Sequence, residues 1–179
     1  PPFDQQIAAI ELGRELATLI MLLAMGWIAG HNIQSRLSFA LIAFGVWDIF
    51  YYLWLNVFIG WPNSFFDPDL LFLIPLPWWG PVFSPVLISI LMVTGGVVVL
   101  RENENNNSVH FPLSFWIPLI LGALLLLYSF MADAIQILPA STAALNALRP
   151  TQFNWPVYLI GLGLAFVSVL QIMIKQKKK

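Results

Sequence analysis

Charged side chains recur at helical spacing inside a segment that is otherwise apolar. Glu11, Arg14 and Glu15 are separated by three and four residues, so they share one face of a helix. A second such segment, GVWDIFYYLW, carries Asp48 with a tyrosine pair one turn later. Carboxyl groups in such places can bind a cation, transfer a proton or join helices through hydrogen bonds.

These polar groups come from separate apolar segments, and a third segment ends in a stripe that includes Asp133. An isolated charge at the centre of a bilayer costs about 2.5–3.5 kcal/mol. Four carboxyl groups that faced lipid separately would therefore be costly. We predict that they converge in one outer-half cluster, with Arg14 central, and that its members are Glu11, Arg14, Glu15, Asp48, Tyr51, Tyr52 and Asp133.

The predicted cluster holds four carboxyl groups and one guanidinium, so its charge is unbalanced. Either some carboxyl groups are neutral, or a cation, water or a basic group of a partner compensates them. Simpler interpretations stay open. Glu11, Arg14 and Glu15 could form a solvated first turn near the headgroups. Asp48 could serve only as an interhelical hydrogen-bond acceptor, and Asp133 could lie at the interface.

Composition explains why lipid is the expected solvent of these segments. The 179 residues are 59% hydrophobic and 9% charged, with a mean hydropathy of +0.81. A soluble domain carries roughly a quarter charged residues. The net charge of −1 offers no electrostatic support for binding nucleic acid. We therefore expect an integral membrane protein whose partners are the lipid bilayer and other membrane protein subunits.

Five apolar segments are long enough to cross a hydrocarbon core, which takes about 20 residues. The predicted fold is all-α: a single polytopic domain over 1–179, built as a five-transmembrane-helix bundle. A Pro/Trp-rich segment, 61–80, lies between the second and third spans and is too short to cross. We expect it to form an interfacial or re-entrant cap. The predicted spans are 7–30, 37–60, 81–100, 113–138 and 155–174.

Basic residues predict the orientation, because they favour the cytoplasmic side. Arg36, Arg101 and the four lysines of the tail 175–179 would share one side, whereas Arg149 alone would lie on the other. We expect an outside N-terminus and a cytoplasmic C-terminus, in a bacterial inner membrane.

Cofactor motifs are missing from the sequence. It has no cysteine, and all its lysines lie in the last five residues, so thiolate metal sites and a transmembrane Schiff base are excluded. His31 and His110 both fall at predicted cytoplasmic boundaries. We predict no metal and no cofactor; a haem held by these two histidines is the disfavoured alternative.

Three functions are compatible with these observations. The favoured hypothesis is a non-catalytic accessory or scaffold subunit of a larger membrane complex, because the cluster is unbalanced and motifs are missing. The alternative is a small transporter or a proton- or cation-binding protein that uses the carboxyl cluster. The least supported is an intramembrane enzyme acting on lipid-like substrates, with Asp48 and the tyrosines as acid–base groups. No catalytic residue is assigned.

Overall fold

Five long helices dominate the part of the chain that the computed structural model describes, residues 5–74, 76–104, 109–136 and 152–176. Each contains a stretch long and apolar enough to cross a membrane. The all-α five-helix bundle is confirmed, and a membrane location follows from it. The helices are α1 (Gln5–Ala29), α2 (Ile33–Ile59), α3 (Phe83–Glu104), α4 (Leu113–Gln136) and α5 (Trp155–Gln176).

The second helix begins four residues before its predicted start. Asn32 and Ser35 form a reciprocal capping box: Ser35 N–H donates to Asn32 Oδ1 at 2.9 Å, and Asn32 N–H donates to Ser35 Oγ at 3.0 Å. The polar residues that resemble a loop therefore form the first helical turn. The helix ends at Gly60, whose φ of 69° is left-handed.

The cap between α2 and α3 contains a β hairpin, which the sequence analysis did not anticipate. Strand β1 (Pro68–Phe72) pairs antiparallel with β2 (Trp78–Pro81), and Asp69 lies opposite Gly80. The strands pair the backbone groups that face each other, so the short apolar run forms local hydrogen bonds without a helix. Strand β2 contacts both α3 and α4. The hairpin thus covers one end of the bundle.

Glycines allow the closest helix contacts. The helices pack mainly as α1 on α2, α2 on α3 and α4 on α5. A Cβ at Gly45 would lie 2.7 Å from the carbonyl oxygen of Ser89, and one at Gly122 would lie 2.6 Å from that of Gly161. Any larger residue at Gly45 would separate α2 from α3. This approach places Ser89 beside Asp48.

Amide side chains join the helices at the end opposite the hairpin. Asn32 Nδ2 donates to Asn103 Oδ1 at 2.8 Å, which links the start of α2 to the end of α3. Gln34 Nε2 donates to the carbonyl oxygen of Val109 at 2.7 Å, and Gln34 Oε1 accepts from the N–H of Val109 at 3.0 Å. Polar residues at this end therefore hold the connecting segments against the helices through hydrogen bonds.

Candidate functional site

A cavity of about 110 Å³ lies beneath the hairpin, between α1, α2, α3 and α4. One water molecule needs about 10–15 Å³ by comparison. Six of the seven residues of the predicted cluster line this cavity, together with three polar residues outside that cluster: Thr18, Asp69 and Ser89. Its polar lining consists of Glu11, Arg14, Glu15, Thr18, Asp48, Tyr51, Tyr52, Asp69 and Ser89.

Asp133 is not among these residues, so the structure does not bring this member of the predicted cluster to the cavity. It lines a separate cavity of about 390 Å³ between the hairpin, α4 and the start of α5. Only Phe130 of α4 reaches the cavity beneath the hairpin. The polar stripe of α4 that contains Asp133 faces this second cavity.

Asp48 is held in the centre of the bundle by α3. Its side chain is 6% exposed, and Ser89 Oγ donates a hydrogen bond to Asp48 Oδ2 at 2.8 Å. Ser89 is itself only 1% exposed. The serine orients the carboxyl group, but a neutral donor leaves the charge of an ionised carboxylate uncancelled.

Asp69 joins the hairpin to α2. The Tyr52 hydroxyl donates to Asp69 Oδ2 at 2.9 Å, and the N–H of Leu70 donates to Asp69 Oδ1 at 2.9 Å. Burial raises the pKa of Asp69 above its ordinary value, and these two hydrogen bonds only partly offset the rise. The hairpin thus contributes a carboxyl group of its own to the cavity.

Glu15 joins α1 to the same hairpin. It is 3% exposed, and the backbone N–H of Leu73 donates to its two oxygens at 3.0 and 3.1 Å. Glu11 and Arg14 lie further out and form an ion pair with each other. Arg14 is therefore engaged within its own helix rather than at the centre of the cluster.

The cavity lining is acidic after these pairings are counted. Four carboxyl groups line it, and Arg14 is the basic residue among the lining side chains. Glu11 forms an ion pair with the guanidinium of Arg14. The carboxyl groups of Glu15, Asp48 and Asp69 accept hydrogen bonds from neutral groups. The remaining charge favours a positively charged occupant.

Aromatic rings and a few aliphatic side chains form the rest of the wall. Trp47 stacks on Tyr51 with ring centroids 5.8 Å apart, and Trp78 stacks on Phe130 at 6.0 Å. The faces of such rings attract cations. The indole N–H of Trp78 is buried and has no hydrogen-bond partner among the described residues. The indole N–H of Trp79 is likewise buried without a partner among the described residues.

The two histidines lie apart from this cavity. His31 is exposed between α1 and α2, and His110 is exposed just before α4. Within the described ranges, no three histidine, aspartate or glutamate side chains are grouped closely enough to hold a metal ion. Arg149 and residues 177–179, on which the predicted orientation partly depends, lie outside those ranges, as does Pro75 of the predicted cap.

Two residues of the site escaped the sequence analysis. Asp69 follows a proline in an irregular segment, where the sequence does not reveal a strand that alternates inward and outward side chains. Ser89 is a small hydroxyl residue in an apolar span. Such residues often lie at the contacts between helices. Asp48 could have indicated Ser89, because a buried acid on α2 needs a hydrogen-bond donor from a neighbouring helix.

Comparisons of the chain with models of protein families, with curated proteins and with solved structures found no match.

Replacement of Tyr52 by Phe removes the hydrogen bond that joins α2 to Asp69. We expect Tyr52→Phe to lower the free energy of unfolding by about 1–3 kcal/mol and to speed amide hydrogen exchange in β1. Tyr51→Phe is the matched control, because the Tyr51 hydroxyl makes no hydrogen bond among the described residues. Unfolding in mixed micelles and exchange mass spectrometry measure both effects. Equal behaviour of the two variants would contradict this role of Tyr52.

Proposed function

We propose that this chain is a membrane protein that binds a positively charged ligand in the cavity beneath the hairpin. The observation that carries the proposal is the excess of carboxyl groups there: among the described residues, Glu15, Asp48 and Asp69 have only neutral hydrogen-bond donors. This is the cation-binding alternative of the sequence analysis. The geometry of the cavity favours it over an accessory subunit.

Burial of the three carboxyl groups has an electrostatic cost. An ionised carboxylate inside a protein is strongly destabilising unless a positive charge or several donors compensate it. Each of the three carboxyl groups is oriented by its donor, so little reorganisation is needed when a cation enters. The aromatic walls add attraction of their own.

A binding experiment with a simple cation tests this function. We expect tetramethylammonium to bind saturably to the purified chain in an uncharged detergent, as measured by isothermal titration calorimetry. Asp48→Asn should weaken binding at least about tenfold, since it removes a central charge at constant shape. Glu102→Gln, which removes a charge at the far end of α3, should leave the affinity unchanged.

The proposal fails if tetramethylammonium does not bind, or if Asp48→Asn and Glu102→Gln bind it equally well. Circular dichroism and gel filtration establish that the variants are folded.

Orientation and location are part of the proposal. We place the chain in a bacterial inner membrane with the hairpin outside, because Arg36 and Arg101 flank the opposite end of the bundle. The sequence has no cysteine, so single-cysteine variants are specific reporters. An impermeant maleimide should label Asn63→Cys in intact cells and His31→Cys only after lysis. The reverse pattern would invert the topology.

The accessory subunit stays as a second candidate, and α1 is the feature that favours it. This helix packs mainly on α2 and exposes large apolar side chains such as Ile10, Ile20 and Ile28. A partner helix seated there could supply a basic side chain to the cavity. In that case the chain purified alone would bind tetramethylammonium, and restoring the partner would abolish that binding.

A further inference from the structure

An aromatic groove runs along the outer half of α2. Its volume is about 350 Å³, and the only polar side-chain groups among its lining residues are the Tyr51 hydroxyl and the indole N–H groups of two tryptophans. The lining residues repeat at three- and four-residue intervals, so they share one face of the helix. They are Trp47, Phe50, Tyr51, Trp54, Leu55 and Phe58.

The groove borders the acidic cavity. Trp47 and Tyr51 line both of them. Their stacked rings form the boundary between carboxyl groups on one side and an aromatic surface on the other. Trp54 and Phe58 stack at 5.5 Å and extend the surface away from the cavity. A ligand that passes this boundary would meet negative charge at one end and apolar rings at the other.

We infer that the ligand is a cationic amphiphile, whose ammonium group lies among the carboxyl groups while its apolar tail lies along the groove on α2. The inference deepens the proposed function and rests on it. Charge complementarity selects the head group, and the shared wall of Trp47 and Tyr51 fixes where the tail must leave the cavity.

The arrangement of the carboxyl groups suits a diffuse organic charge. No three of them are grouped closely enough within the described ranges to coordinate one metal ion, and aromatic rings line the same cavity. An alkylammonium spreads its charge over several carbon atoms and binds ring faces well. Trp54 and Phe58 are 49% and 77% exposed, so a tail can reach the groove directly from the lipid.

The test compares the head alone with the head plus a tail. We expect octyltrimethylammonium to bind the chain in lipid nanodiscs at least about tenfold more tightly than tetramethylammonium, measured by isothermal titration calorimetry. Octanol, which has the tail without the charge, should not compete. Trp54→Ala should abolish the gain from the tail and keep the affinity for tetramethylammonium.

Two further variants make the result specific. Phe58→Ala truncates the most exposed ring of the groove, so it reports on the tail even if Trp54→Ala fails to fold. Phe166→Ala removes a comparably exposed ring on α5, outside the groove, and should change neither affinity. It controls for partitioning of the tail into the lipid of the nanodisc.

The failures of the two proposals differ. If the two cations bind equally, if the groove variants keep the gain, or if octanol competes, the amphiphile inference is overturned and cation binding stands. If neither cation binds, both proposals fall.

Discussion

The hydrogen bond between Ser89 and Asp48 is the interaction on which the site depends. It joins α2 to α3 in the interior of the bundle, where both side chains are almost fully buried. It can form only because Gly45, one turn before Asp48, lets the backbone of α3 approach so closely. A glycine contact and a buried carboxyl group are therefore parts of one arrangement.

The hairpin completes this arrangement and does more than cover it. It supplies Asp69, which accepts from Tyr52 of α2, and the N–H of Leu73, which donates to Glu15 of α1. Two helices are thus tied to the hairpin through groups that also line the cavity. A ligand that neutralises the carboxyl groups would act on the same contacts that hold the hairpin in place. Binding and the stability of the hairpin should therefore be linked.

The five spans were predictable because lipid imposes a length and a composition that are visible in the sequence. The clustering of Glu15, Asp48 and the tyrosines was also predictable, because polar groups of separate spans are costly in lipid unless they converge. The hairpin was not, because a proline-rich segment gives no clear period. The direction of Asp133 was missed because a stripe on α4 does not say which neighbour it faces.

A density map of the chain in its native membrane lipids, obtained by electron cryomicroscopy with a rigid binding fragment, tests the central claim most directly. We predict that Glu15, Asp48 and Asp69 surround one lipid-shielded cavity that contains density of a bound small molecule, extending along α2. A basic side chain of a neighbouring protein there would support the accessory subunit instead. Carboxyl groups on separate surfaces or in bulk water would contradict the account.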